Sequence, residues 1–89
     1  MSLLRFRFVK YQIQFNPKAI KDFESLSSDI QKRISTKIAA MQDNLQGDIK
    51  KLTNFYPEYR LRVGDYRVLF EIEDNNLIIH RIKHRRNAY

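Results

Sequence analysis

The stretch YRLRVGDYRVLFEIEDNNLIIHRIKH, residues 59–84, decides the fold. Apolar and polar residues alternate on both sides of Gly64-Asp65, a dipeptide that favours a two-residue hairpin turn. Asp74-Asn75-Asn76 marks a second turn, whose two central residues are either the first pair or the second pair of these three. Leu77 to Lys83 then forms the last strand. The segment therefore predicts a three-stranded antiparallel meander.

The hairpin loop length fixes which residues oppose each other, so Arg62 is expected opposite Arg67. One face of the hairpin is nearly all apolar and is expected to pack on helices. The other face carries Arg60, Arg62, Arg67, Leu69 and Glu71. In both registers of the second turn, the last strand adds Ile78, His80, Ile82 and His84 to this arginine face, and Arg81 and Lys83 to the edge of the apolar face. Opposed like charges destabilise a strand pair, so the arginines indicate either an anion site or two side chains splayed into water.

The preceding residues predict a strand and two helices. Residues 4–15 alternate apolar and polar side chains, as a half-buried strand does. Asn16-Pro17 is typical of a helix start, and a second helix begins near Ser28, which forms a possible capping box with Gln31. An apolar stripe follows and ends before Gly47. The predicted fold is a single α+β domain over residues 1–89, with two helices packed on one face of a four-stranded sheet.

Composition limits the possible functions. The chain has 89 residues, 17 Lys and Arg against 10 Asp and Glu, and a net charge of +7, which favours a polyanionic partner. The absence of cysteine excludes disulfides, thiol nucleophiles and thiolate zinc sites, and two histidines are too few for a histidine metal cage. No stretch approaches the ~20 apolar residues of a membrane span. We expect a cytoplasmic protein with no membrane contact.

Two motifs carry a resemblance to a known family. They are Y-R-x-R-x-G-D-Y-R at residues 59–67 and H-R-R-x-x-Y at residues 84–89, with KKL at residues 50–52 before them. Together they resemble the RelE toxins of bacterial toxin–antitoxin pairs, within the RelE/ParE superfamily, over roughly Lys10 to Tyr89. The resemblance implies an endoribonuclease that needs no metal or cofactor and cuts mRNA in the A site of the 70S ribosome. It also implies a cognate antitoxin as partner, with operator DNA contacted only through the antitoxin.

The resemblance also implies which residues act. The family's catalytic residues correspond to Arg60, Arg62, Arg67, Arg85 and Tyr89. Cleavage by a neighbouring 2′-hydroxyl needs proton removal, charge stabilisation at phosphorus and protonation of the leaving 5′-oxygen. Arginines can hold the scissile phosphate, and Tyr89 can stack on a base. The best-known members have lysines at two of the arginine positions, one of them the general base, and arginine is a poor base.

The remaining candidates follow from this missing base. His84 is the nearby side chain whose ordinary pKa is near 7, so it is a candidate acid or base, or else a surface residue that only forms hydrogen bonds. Lys50, Lys51 and Arg86 are candidate RNA contacts, or else solvated side chains.

Two other functions remain open on the sequence. A ParE-like toxin that inhibits DNA gyrase without cutting RNA would have the same fold but no catalytic cluster. A basic RNA-binding module without chemistry is the third reading, because a fold alone does not fix a function.

Overall fold

The structure is a computed structural model that describes residues 8–89, and the predicted α+β class is confirmed. Its elements are β1 (Gln12–Phe15), α1 (Pro17–Glu24), α2 (Ser28–Ala40), β2 (Ile49–Lys51), β3 (Tyr59–Val63), β4 (Tyr66–Glu73), β5 (Asn76–His84) and a 3₁₀ helix (Arg85–Asn87). The described residues form a five-stranded sheet in the order β1-β5-β4-β3-β2, one strand more than predicted. The additional strand is β2, which pairs antiparallel with β3, and β1 runs parallel to β5.

The first strand is shorter than predicted. Residues 4–7 of the predicted strand lie outside the described residues, and regular pairing covers only Gln12–Phe15, opposite residues 76–79 of β5. Before it, Lys10 forms an isolated bridge with Asp43, in the turn after α2. Among residues 8–15, the alternating sequence therefore extends farther than the regular strand pairing.

The two helices begin in different ways. Asn16 caps α1 as predicted, because its Oδ1 accepts a hydrogen bond from the Ala19 backbone N–H at 3.0 Å. The predicted capping box at Ser28 is wrong, since Ser27 is the cap residue of α2. The Gln31 side chain instead donates to the Phe23 carbonyl at 2.8 Å, which ties α2 to α1. No helix of residues 8–89 has the length and apolar character needed to cross a membrane.

The core lies between the helices and one face of the sheet. Its buried side chains include Ala19, Ile34, Ile38, Met41, Leu61, Val63, Val68, Phe70, Leu77, Ile79 and Ile82. Burial of each large aliphatic or aromatic side chain contributes about 1.5–3 kcal/mol. The predicted apolar stripe of α2 and the apolar face of the hairpin meet in this core.

The first hairpin has the predicted register. Arg62 lies opposite Arg67, and Leu61 lies opposite Val68. Gly64 has a φ of +57°, in the left-handed region that glycine adopts without a steric penalty. The second turn is centred on Asp74-Asn75, one of the two alternatives that the sequence left open.

The second hairpin contains a bulge that reverses the predicted faces. Phe70 lies opposite Ile79 whereas Leu69 lies opposite Arg81, so the intervening residue, His80, has no partner in β4. One extra residue shifts every later side chain to the opposite face. The prediction for Ile82 is therefore wrong, because Ile82 is 3 % exposed and lies in the core.

The same shift also places His84, Lys83 and Arg81 differently from the prediction. His84 lies opposite Tyr66, on the helix-covered side of the hairpin, so its predicted place on the arginine face is wrong. Lys83 lies opposite Arg67 instead. Arg81 forms two hydrogen bonds with Asp22 of α1, at 2.7 and 3.0 Å, rather than extending along the edge of the apolar face.

Candidate active site on the open face of the sheet

An open groove of about 420 Å³ lies on the face of the sheet that the helices leave uncovered. Its lining residues are Lys50, Leu52, Thr53, Phe55, Arg60, Arg62, Arg67 and Tyr89. The groove thus brings together five of the residues predicted from sequence, which come from β2, β3, β4 and the C-terminal segment.

The pairing of β2 separates the two adjacent lysines. Lys50 lies opposite Arg60 and shares its face, whereas Lys51 lies opposite Tyr59. The Lys51 ammonium is 3.6 Å from a Glu58 carboxylate oxygen and 6.0 Å from the centre of the Tyr59 ring. Lys50 therefore belongs to the groove, and Lys51 does not.

Asp48 holds two of the groove arginines. Arg60 donates from Nη1 to the Asp48 backbone carbonyl at 3.0 Å and to its carboxylate at 3.2 Å. The Arg62 Nε lies 3.1 Å from the other carboxylate oxygen. Asp48 was not predicted, because its position beside β3 becomes evident only once the three-residue strand β2 is recognised. One carboxylate thus orients two guanidinium groups and leaves the groove with excess positive charge.

Arg67 is held by backbone oxygens. Its Nη1 donates to the carbonyls of Gly64 at 2.9 Å and Tyr66 at 3.0 Å, around the tip of the first hairpin. Arg62, directly opposite, turns toward Asp48 instead. Separate acceptors therefore relieve the repulsion expected between these two facing cations.

Aromatic residues form one wall of the groove. The ring of Tyr89 packs edge to face on Phe55, with the ring centres 5.5 Å apart and an interplanar angle of 81°. Ala88 is 4 % exposed and anchors the chain beside Tyr89, whose side chain stays 63 % exposed. The exposed ring of Tyr89 is therefore available to stack on a base. Phe55 was not predicted, and its loop sequence gives no regular pattern that would have identified it.

The loop that carries Phe55 is tied to the sheet by its neighbour, Tyr56. The Tyr56 hydroxyl donates to the carboxylate of Glu71, and the Tyr56 ring packs edge to face on His80 at 5.3 Å. The His80 Nε2 lies 3.3 Å from the same Glu71 oxygen. The hydrogen bond to Glu71, with a smaller effect of burial, raises the pKa of the Tyr56 phenol. Tyr56 therefore remains a hydrogen-bond donor at neutral pH.

Besides Lys51, three predicted residues lie outside the groove lining. His84 accepts a hydrogen bond at Nδ1 from the Arg86 N–H at 3.3 Å, and its ring packs on Tyr66 at 5.4 Å. The Arg85 N–H donates to the Asp65 carbonyl at 2.7 Å, and its Nε is 3.8 Å from the Asp65 carboxylate. Arg85 and Arg86 begin the 3₁₀ helix and are exposed.

The groove has the chemistry of a phosphate site. Four cationic side chains line it, namely Lys50, Arg60, Arg62 and Arg67. Guanidinium groups bind phosphate oxygens through paired hydrogen bonds and stabilise charge that develops on them. Among residues 8–89, no three His, Cys, Asp or Glu side chains are grouped as a metal site would require. The side chains in place therefore suit a phosphodiester.

The five-stranded sheet with helices on one face and a cationic groove on the other agrees with the class of small RelE/ParE-like toxins that the sequence motifs resemble. Residues 13–89 match the family described as the ParE toxin of the type II toxin–antitoxin system parDE. The chain is 32% identical over 83 residues to toxin RelE3 of Methanocaldococcus jannaschii, covering 88% of this chain and 94% of that protein. The chain belongs to this ParE toxin family, within the RelE/ParE superfamily of type II toxins.

Solved structures have the same fold. A RelB–RelE antitoxin–toxin complex from Methanococcus jannaschii matches with a TM-score of 0.72 and 34% identity, over 85% of this chain and 94% of that one. An archaeal RelE–RelB complex from Pyrococcus horikoshii matches with a TM-score of 0.71 and 24% identity, over 90% and 100% of the two chains. Because its sequence identity is low, the similarity to the Pyrococcus horikoshii protein concerns the fold alone.

Proposed function

We propose that the chain is a ribosome-dependent endoribonuclease that cleaves mRNA in the ribosomal A site and thereby stops translation in the cytoplasm. The observation that carries this proposal is the groove that collects Lys50, Arg60, Arg62, Arg67 and Tyr89 on the uncovered face of the sheet. A cationic groove with an exposed aromatic ring suits a single RNA strand, whose phosphates need charge and whose bases need a stacking surface.

In the proposed reaction, the 2′-hydroxyl oxygen attacks the adjacent phosphorus and displaces the 5′-oxygen of the next nucleotide. The products are a 2′,3′-cyclic phosphate and a 5′-hydroxyl end, whose oxygen takes its proton from water in the open groove, and the reaction needs no metal ion. Arg62 and Arg67 bind the scissile phosphate and stabilise its developing charge, while Asp48 and the hairpin carbonyls keep them oriented. Arg60 and Tyr89 position the strand.

We assign proton removal from the 2′-hydroxyl to Lys50. A guanidinium cannot accept a proton, whereas a lysine amine can do so in its neutral form. Lys50 is the lysine that lines the groove, directly opposite Arg60. This assignment supplies the base that the sequence, with arginines at residues 60 and 62, left open.

Lys50→Arg tests the assignment because it keeps the charge and removes the base. We expect cleavage to fall about 100-fold or more, the range of general-base catalysis, while ribosome binding persists. Lys51→Arg is the matched control, since it makes the same change one residue away on the opposite face. If Lys50→Arg cleaved RNA as fast as Lys51→Arg does, Lys50 would not be the general base. His84→Asn would then be the next variant to measure.

We further propose that a cognate antitoxin holds the chain inactive and carries any contact with operator DNA. The relatives from Methanococcus jannaschii and Pyrococcus horikoshii were solved as complexes with RelB antitoxins. The net charge of +7 favours an acidic antitoxin segment.

The decisive experiment maps mRNA 5′ ends on programmed ribosomes with an exposed A-site codon. The chain, Arg67→Ala and Tyr89→Ala are compared, with naked mRNA alongside. We expect discrete A-site cuts that require the ribosome and weaken in both variants. Cuts of equal strength in naked mRNA would contradict ribosome dependence.

The alternative is inhibition of DNA gyrase, which the ParE description of the matching family favours. The cationic groove favours cleavage instead, because a gyrase inhibitor needs no phosphate-binding cluster. Intact mRNA together with growth arrest and accumulating gyrase cleavage complexes would establish the alternative and exclude the nuclease. Intact mRNA together with unaffected gyrase and retained RNA affinity would indicate a binding module without chemistry.

A further inference from the structure

A second groove lies between α2 and the tip of the first hairpin, and we name it the α2 groove. It has a volume of about 360 Å³ and is lined by Lys32, Arg33, Thr36 and Lys37 of α2 and by Arg62, Val63 and Gly64 of the hairpin. Arg62 also lines the candidate active site. The two grooves therefore adjoin at this arginine.

Every charged side chain that lines the α2 groove is basic. Four of its lining residues are basic and none is acidic. No carboxylate of residues 8–89 forms an ion pair with Lys32, Arg33 or Lys37. In the candidate active site, by contrast, Asp48 pairs with Arg60 and with Arg62, the arginine that the two grooves share. The α2 groove thus has positive charge that the described part of the chain leaves uncompensated.

This arrangement does not serve the helix itself. Arg33 and Lys37 are four residues apart on α2, and like charges at this spacing repel each other and destabilise a helix. The helix dipole favours a cation in the last turn, where Lys37 lies, but not at Lys32 or Arg33 farther toward the N-terminus. Asp29 lies three and four residues before Lys32 and Arg33, at spacings that attract, but it forms no ion pair with either of them, so their charge remains available to a partner.

Arg33 lies directly against the hairpin tip. Its Nη2 is only 2.7 Å from the position that a Cβ atom on Gly64 would take. Glycine at this position therefore leaves room for the guanidinium as well as adopting the φ of the turn. The contact places the charge of Arg33 at the rim near Arg62, where the two grooves meet.

We propose that the α2 groove binds the phosphodiester backbone of the same RNA strand that occupies the candidate active site, over nucleotides that flank the cleaved bond. The identity of the strand rests on the proposed function. A backbone carries one negative charge per nucleotide, which matches a groove of cations without acids. Such contacts fix the position of the strand and carry no base specificity.

The test measures RNA binding without cleavage. A labelled, fully 2′-O-methylated dodecanucleotide has no 2′-hydroxyl to attack, so it reports binding whether or not the chain cuts RNA. The variant is Lys32→Gln/Lys37→Gln. The matched control is Lys18→Gln/Lys21→Gln, which removes the same charge from exposed positions of α1. Substitutions at such exposed positions usually leave stability nearly unchanged, and thermal unfolding checks this for both variants.

We expect the α2 variant to bind the dodecanucleotide more weakly than the control does. The slope of log K against log salt concentration should be less steep by about 1.4, because each single-strand phosphate contact contributes about 0.7. The loss should be similar for different base sequences. A dinucleotide is too short to span both grooves. Because the active-site groove is intact in both variants, we expect a dinucleotide to bind them equally.

Three results would overturn the proposal. One is equal salt slopes for the two variants with the dodecanucleotide. Another is a loss seen only with intact ribosomes, which would assign the groove to ribosomal RNA. The last is a loss seen only with a polyglutamate peptide, which would assign it to an acidic protein segment. If ribosomes remain uncut while the difference in slope persists, the proposed nuclease fails and the RNA-binding groove stands.

Discussion

The two hairpins of the sheet share β4 but differ by one residue. In the first hairpin, a two-residue turn at Gly64-Asp65 sets a register that continues along all of β3. In the second, the register set by the Asp74-Asn75 turn holds only as far as Ile79, and His80 then shifts it. A turn therefore determines which residues face each other only as far as the next bulge. The groove arginines lie on the regular hairpin, and the residues that were misplaced lie beyond the bulge.

The largest expected effect comes from deletion of His80. Without the extra residue, Arg81 would follow Ile79 directly and residues 81–84 could keep their partners in β4, but we expect the straightened strand to lose the bonds from Arg81 and Ile82 to Asp22. We expect a loss of about 4 kcal/mol, from these charge-assisted hydrogen bonds and the contact of the His80 ring with Tyr56 together. Urea unfolding measures this loss.

His80→Ala is the control for the deletion, because it removes the ring and keeps the residue count of β5. We expect it to cost about 1 kcal/mol, as an ordinary substitution does. If the deletion and the substitution were equally stable, β5 would tolerate the regular register and the bulge would have no structural role.

A smaller effect is expected from Asp22→Asn, which loosens β5 just beyond the bulge. The Asp22 carboxylate accepts hydrogen bonds from the Arg81 side chain and, at 2.9 Å, from the Ile82 N–H. Replacing a charged acceptor in such a cluster costs about 2 kcal/mol at pH 7. Urea unfolding at neutral pH measures the change, and Asp29→Asn, at an exposed carboxylate in the first turn of α2, is the control.

The pH dependence of Asp22→Asn sharpens the same test. Burial opposes ionisation of Asp22, but the hydrogen bonds from Arg81 and Ile82 and the charges of Arg81 and Lys83 hold its pKa below the usual range. A lowered native pKa stabilises the fold above the unfolded-state pKa of about 3.9, and this contribution is lost as pH falls through the native value. The wild-type chain should therefore lose more stability below pH 4 than Asp22→Asn does. Parallel curves for the two would contradict the lowered pKa.

The sequence was sufficient for the part of the site on the regular hairpin. Alternation and Gly64-Asp65 placed Arg60, Arg62 and Arg67 on one face, and the structure has them there. The cap of α1 was equally local, because Asn16 bonds to a residue three positions away. Interactions between residues a few positions apart can therefore be predicted from the local sequence pattern.

The rest depended on contacts between distant residues. The bulge adjoins the bonds between Asp22 and residues 81 and 82, about sixty positions later in the chain, and no local pattern marks it. The strand β2 has three residues, too few for alternation to be recognised. The separation of Lys50 from Lys51, and the pairing of Asp48 with the arginines, both follow from that strand.

A still smaller effect is expected from Gly64→Ala, at the turn that fixes the regular hairpin. A φ of +57° costs a non-glycine residue about 1–2 kcal/mol, and the new Cβ would also displace the Arg33 guanidinium. Asp65→Ala, at the next turn residue, should change stability by less than about 0.5 kcal/mol. Thermal unfolding of both variants measures the difference. Equal stabilities would mean that the turn does not set the register.

The smallest expected effect on stability is that of Arg62→Gln. This change removes an ion pair with Asp48 at 3.1 Å and also the repulsion from Arg67 directly opposite. Both terms are about 0.2–1 kcal/mol on an exposed face and have opposite signs, so the net change should stay within about 0.5 kcal/mol. Urea unfolding at low and high salt measures it, since salt weakens both terms. If Arg62→Gln raised the free energy of unfolding by more than about 1 kcal/mol, the facing arginines would destabilise the native fold. Such a cost is expected where charge is retained to bind an anion. A loss of that size would instead assign Arg62 a structural role through Asp48, and it would separate this arginine from the rest of the cationic groove.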